Sequence, residues 1–112
     1  MTTVTARKRK VSDAELESKF QAHLIAKLKV LYPGCIILKN DSSYQQGIPD
    51  ITIFFRDRWA ALELKAHQHA VQQPNQAWFI ETLNNMSFAA FIFPENEEDV
   101  LDELQQSFSA SR

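Results

Sequence analysis

From Leu16 onward, apolar residues recur at steps of four and three: Leu16, Phe20, Leu24, Leu28 and Leu31. That spacing lays a single stripe along a helix. Just ahead of it, Ser12-Asp13-Ala14-Glu15 has the form of a capping box, with Ser12 capping and Glu15 reaching back. Pro33-Gly34 ends the helix. The pattern then changes. Cys35–Lys39 is short, apolar and β-branched and predicts a strand, whereas Asn40–Gly47 is polar and predicts a loop. Asp50–Phe55 and Trp59–Lys65 predict two further strands. Arg56-Asp57-Arg58 between them is short enough to make the pair an antiparallel hairpin. A polar connection over His67–Gln73 leads to Pro74, which suits the first turn of a helix. This helix places Ala77, Ile80 and Leu83 on one stripe, widened by Trp78 and Phe79. The continuous apolar run Phe88–Phe93 before Pro94 predicts a buried strand. Asn96 can cap a last helix that turns Val100, Leu101, Leu104 and Phe108 inward. The order is α-β-β-β-α-β-α, an α/β arrangement around a mixed sheet.

The 112 residues fit one domain, expected over residues 12–112 behind a flexible basic arm over residues 1–11. A hydrophobic share of 45% is that of a packed protein rather than a disordered one. The longest apolar run is far too short to span a bilayer, and the basic start has no apolar segment behind it to make a secretory signal. A single cysteine, Cys35, excludes an internal disulfide framework and suits a reducing, cytoplasmic compartment. Only two glycines occur, so Gly-rich phosphate loops and the dinucleotide fingerprint are absent, and no organic cofactor is expected. One cysteine and three histidines do not build a typical structural zinc site. The net charge of −2 hides a split: residues 1–66 hold eleven Lys and Arg against seven Asp and Glu, and the remainder one against seven. A basic face is therefore permitted. Arg7, Lys8, Arg9 and Lys10 form either a solubilising tail or an arm for phosphate backbone.

The hairpin joins distant positions. With its turn centred on Asp57, position 50 lies opposite about position 64, so Asp50 meets Glu63 and Lys65. Glu63 and Lys65 are two apart and share a face, while Leu62 and Leu64 turn to the core. Two carboxylates and an ammonium at one sheet end form a site for a hard cation, for which magnesium is the natural occupant. The other reading of the same residues is an ordinary ion pair between Lys65 and one acid.

Pro49-Asp50 followed by Glu63-Leu64-Lys65 on a helix–strand–hairpin–helix–strand framework resembles the PD-(D/E)XK nuclease superfamily. The likeness is nearest to its small stand-alone VRR-NUC and Holliday-junction-resolvase-like members. The family's first-helix acid, Gly-x-Pro-Asp, Glu-x-Lys and second-helix Gln correspond to Glu17, Gly47-Ile48-Pro49-Asp50, Glu63-Leu64-Lys65 and Gln76. The resemblance covers residues 13–93. Two features depart from it: Asn84-Asn85-Met86 stands where a Gly often precedes the last core strand, and the hairpin lacks its usual Gly.

The resemblance implies a restriction-endonuclease-like αβββαβ core with an added C-terminal helix. It also implies a Mg2+-dependent endodeoxyribonuclease in which Mn2+ substitutes. Asp50, Glu63 and the Leu64 backbone carbonyl would hold the metal, Lys65 would orient the attacking water, and Glu17 would reach in directly or through a bound water. Glu15 competes with Glu17 for that last role. Hydrolysis would leave 5′-phosphate and 3′-hydroxyl ends. Gln76 would contact the site or lie on the helix surface, Lys39 would touch phosphate or solvent, and Tyr44 would stack on a base or sit in a polar loop. His67 and His69 lack a third ligand nearby and read as loop histidines. The expected partner is branched or double-stranded DNA. A homodimer would supply the two sites that a two-strand cut needs. The style of the chain suggests a phage or mobile-element protein in a bacterial host. The alternative is a nucleic-acid-binding or assembly module on the same fold, with weak or no cleavage.

Overall fold

In a computed structural model that describes residues 10–110, the order of elements is the expected one. Helix α1 spans Asp13–Leu31, strands β1, β2 and β3 span Ile36–Lys39, Ile51–Phe55 and Arg58–Leu64, helix α2 spans Pro74–Met86, strand β4 spans Phe88–Ile92 and helix α3 spans Glu97–Ser109. The sheet order is β1-β2-β3-β4. The first two pairings are antiparallel and β3–β4 is parallel, so the fold is α/β with a four-stranded mixed sheet flanked by helices. The parallel pair is the reason α2 lies between β3 and β4 in sequence: two parallel strands need a crossover. Arg7, Lys8 and Arg9 lie outside the described residues, and Lys10 is exposed. Among the described residues no helix is long and apolar enough to cross a membrane.

One core holds the molecule together. Ile51, Ile53, Ala60, Leu62, Leu64, Phe88 and Ile92 project from one face of the sheet. Phe20, Leu24, Leu28 and Tyr32 from the first helical segment and Val100, Leu101 and Leu104 of α3 cover them. The α1 stripe is shorter than its spacing implied: Leu16 and Leu31 are exposed at its ends, and Tyr32 closes the buried row instead. Ser12 caps α1 by accepting from the Glu15 N–H at 3.2 Å. On the opposite face α2 is only half-buried, through Phe79, Ile80 and Leu83, while Ala77 and Trp78 of the expected apolar stripe are exposed. The apolar run Phe88–Phe93 forms β4 with Phe88, Ala89 and Ile92 buried as expected, although the strand is a sheet edge and Ala90 and Phe91 are only half-buried. Asn96 stands at the start of α3, but its side chain turns back. It accepts from the Phe93 N–H at 2.8 Å and donates to the Phe91 carbonyl at 3.1 Å, closing the end of β4 rather than the helix.

The hairpin is tighter than expected. Phe55 pairs with Arg58, so only Arg56 and Asp57 form the turn, and Arg56 supplies the missing glycine's geometry at φ 58°. Pairing of Ile51 with Leu62 then sets Asp50 level with Glu63 rather than with position 64. Asp50 and Lys65 each stand one residue outside a strand, at the same end of the sheet.

Gly47 is fixed by two constraints at once: its φ is 86°, and a Cβ there would lie 2.4 Å from the Asn75 Cβ and 2.9 Å from the Asn75 carbonyl carbon. Gly34 has the same φ, with nothing within 4 Å of its absent side chain. Gly34→Ala should therefore cost only the left-handed backbone term, about 1–2 kcal/mol. Gly47→Ala should cost about 1–3 kcal/mol more, because the first turn of α2 must give way. Urea unfolding of the two variants measures the difference.

Candidate active site

The first residue beyond β3 and the last but one within it are both buried: Lys65 is 7% exposed and Glu63 3%. A carboxylate placed there loses its water, and little replaces it. Glu63 Oε2 accepts from the Gln76 side-chain nitrogen at 3.0 Å, and Lys65 Nζ lies 3.6 Å from the same oxygen. Glu63 Oε1 is buried with no hydrogen-bond partner among the described residues. The Glu63 carboxyl is accordingly pushed up to about 8, first by burial and next by the charge of Asp50, with Lys65 opposing.

Gln76 joins the two strands' chemistry to the second helix. Its oxygen accepts from Lys65 Nζ at 2.7 Å and from the Gln73 N–H at 2.9 Å, while its nitrogen donates to Glu63. The amide is thus a cap for α2 and a bridge between the lysine and the acid. Pro74 at the first helical position sets the helix start that brings Gln76 to this point. The Val71 carbonyl accepts a further bond from Lys65 Nζ at 3.1 Å. The ammonium thus makes two hydrogen bonds, to Gln76 and Val71, and an ion-pair contact with Glu63.

Asp50 is positioned from β3. Its Oδ2 accepts from the Leu64 N–H at 2.8 Å, which turns the carboxylate toward the Glu63 side of the hairpin. Burial raises the Asp50 carboxyl, against the pull of the Leu64 N–H, Glu63 and Lys65. Glu17, half-buried on α1, is also raised, by burial first and then by Asp50. The three acids therefore share one electrostatic field. They do not close into a chelate: among the described residues no group of three or more His, Cys, Asp or Glu side chains is arranged to hold a metal ion. What the site offers a cation is the buried Glu63 and the half-buried Asp50, with one Glu63 oxygen unsatisfied among the described residues. Such a pair fits a hard divalent ion, which supplies the charge that the protein itself does not.

The other expected residues lie farther out. Lys39 is exposed at the end of β1. Tyr44 is 89% exposed on a loop ordered by Asp41, which accepts from the Ser43 N–H at 2.9 Å and the Ser43 hydroxyl at 2.6 Å. Those two bonds hold the Asp41 carboxyl below its ordinary range. His67 donates from Nε2 to Asp13 at 3.2 Å, and its Nδ1 accepts from the His69 N–H, so it ties the loop after β3 to the start of α1. Glu15 is not among the charges that shift Asp50 or Glu63, whereas Glu17 acts on Glu63.

Three contributors had no place in the sequence reading: Asn40, Val71 and Gln73. Val71 and Gln73 act through backbone atoms, which carry no residue signature. Asn40 was legible in principle, because the pairing of Lys39 with Ile51 continues to Asn40 beside Asp50. The chain matches no family model, no curated protein and no solved structure.

The raised acids give the metal-free protein a definite pH dependence. Folding keeps a proton on Glu63 that the unfolded chain releases near 4.5, so unfolding releases protons between about pH 4.5 and about 8. Stability should be greatest at the acid end of that window and fall as the pH rises. In chelator, Tm should drop by roughly 5 °C or more from pH 5 to pH 8. Glu63→Gln should remove most of that drop in the same thermal scans.

Proposed function

We propose that this chain is a divalent-metal-dependent DNA endonuclease on a restriction-endonuclease-like αβββαβ core, selective for branched or junction DNA and acting as a homodimer. The observation that carries this reading is the buried Glu63 carboxylate beside the half-buried Asp50, with one Glu63 oxygen unpartnered among the described residues and Lys65 held against the other. Two acids beside a phosphate repel it. Their placement together has a chemical use when a cation completes the site.

Asp50 and Glu63 would hold the ion, with the Leu64 carbonyl as a further ligand and Glu17 acting through a bound water. Mg2+, or Mn2+ in its place, would acidify a water and neutralise charge on the scissile phosphate. Lys65 then has two duties: its charge faces the developing negative charge, and its N–H groups orient the attacking water. Gln76 keeps Lys65 and Glu63 in register with α2. Tyr44, Lys39 and Lys10 lie exposed where nucleic acid could reach them, and Arg7, Lys8 and Arg9 would extend that contact along the backbone.

One observation favours the second reading, a binding or assembly module without cleavage. The Lys65 ammonium is already engaged by Val71, Gln76 and Glu63, so it must exchange at least one of these to serve a substrate.

The deciding assay uses labelled four-way junction, flap, nicked and linear duplex DNA, with Mg2+, with Mn2+ and with chelator. Wild type should cut only with metal, and prefer the branched forms. Lys65→Ala and Glu63→Gln should each cut about 10²-fold more slowly or worse while still binding DNA. Binding without cutting under every metal would establish the module instead. Removing residues 1–10 should weaken DNA binding and flatten its dependence on log salt by roughly three to four, since four cationic side chains are lost. An unchanged slope would make the segment a solubilising tail.

A further inference from the structure

We propose that Asn40 is a positioning residue for the metal-binding carboxylate of Asp50, an inference that rests on the reading of Asp50 and Glu63 as a cation site. Asp50 stands one residue before β2, at the return of a long polar loop, where a strand end would ordinarily fray. Three hydrogen bonds from one residue prevent this. The Asn40 backbone N–H donates to the Asp50 carbonyl at 2.8 Å. Its side-chain nitrogen donates to the Pro49 carbonyl at 2.8 Å and to the Thr52 hydroxyl at 2.9 Å. The residues immediately before, at and two after the acid are therefore all tied to one asparagine.

The other side of Asp50 is tied to β3, through the bond from the Leu64 N–H to its carboxylate. Asn40 sets the backbone from one flank and Leu64 sets the carboxylate from the other, and the two together leave Asp50 one place beside Glu63. Only a donor serves the Pro49 carbonyl, which is an acceptor on a residue whose side chain is fully buried. An asparagine supplies two N–H donors from one nitrogen, which aspartate, serine and alanine do not. The loop that Asn40 closes, residues 41–46, is exposed and contributes nothing to the core. Loosening its base should therefore disturb Asp50 more than it disturbs the fold.

The test measures Mn2+ affinity by calorimetry at pH 8, Tm in chelator, and cleavage, for wild type, Asn40→Ala and Thr52→Val. Asn40→Ala should bind Mn2+ about tenfold more weakly or worse, whereas Thr52→Val, which keeps the Pro49 bond, should stay within about twofold of wild type. Asn40→Ala should also lower kcat at saturating DNA more than it raises KM. If Asn40→Ala does not fold, Asn40→Ser takes its place: it keeps the backbone bond to Asp50, loses the reach to Pro49, and should show the same loss of affinity. Wild-type affinity in the folded Asn40 variant, or an equal loss in Thr52→Val, would overturn the inference and leave the cation site standing. A wild-type protein that binds no Mn2+ would overturn the cation site and this inference together.

Discussion

Burying a carboxylate at the end of a sheet strand is the constraint that organises this molecule. Glu63 sits in β3 between Leu62 and Leu64, whose side chains fill the core on the other face, so it cannot leave its position without unpacking the strand. Removed from water, it must be compensated by the groups around it. Lys65 follows on the same face, Gln76 arrives from α2 with one donor, and Asp50 adds a second negative charge. The compensation is incomplete: one oxygen stays without a partner among the described residues, and the acid holds its proton into the neutral range. A purely structural ion pair gains nothing from the second acid. The proposed cation site makes use of it.

The rest of the fold can be understood as the means of bringing four segments to that point. The antiparallel hairpin delivers Asp50 and Glu63 to the same level, and the crossover from β3 to β4 starts α2 at the same end. Gly47 packs against Asn75, one residue before Gln76, so the loop leading to Asp50 and the helix leading to Gln76 touch directly. Gln76 then serves the helix start and the charged pair with one amide, which couples local helix geometry to site chemistry. The core face is conventional and supplies rigidity. The opposite face is only half covered by α2.

Much of this was readable from residues alone, and the exceptions have physical causes. Element order followed from periodicity, because the α1 stripe and the two-residue alternation of the hairpin differ plainly. Local capping was less secure. Ser12 behaves as a cap, but Asn96 turns back to backbone groups three and five residues before it, a local alternative that competes with capping. The hairpin register slipped by one because Arg56 accepts a left-handed backbone that sequence rules reserve for glycine. The apolar run at Phe88 is buried as its hydrophobicity predicts, but its place at a sheet edge was not legible, since hydrophobicity reports burial on a face and not a neighbour on each side. Asp50, Glu63 and Lys65 were identifiable as neighbours from strand spacing. The lysine's capture by a backbone carbonyl and the clamp from Asn40 depend on loop paths, and loop paths leave little trace in composition.

The central claim is that the Asp50–Glu63 pair is completed by a divalent cation. Titration calorimetry of the wild-type chain with Mg2+ at pH 7, run in two buffers of different ionisation enthalpy, tests it most directly. The account predicts saturable binding accompanied by proton release, because Glu63 must surrender its proton to bind the ion, and it predicts that Glu63→Gln abolishes both. Absence of saturable binding, or binding that Glu63→Gln leaves unaltered, would contradict it.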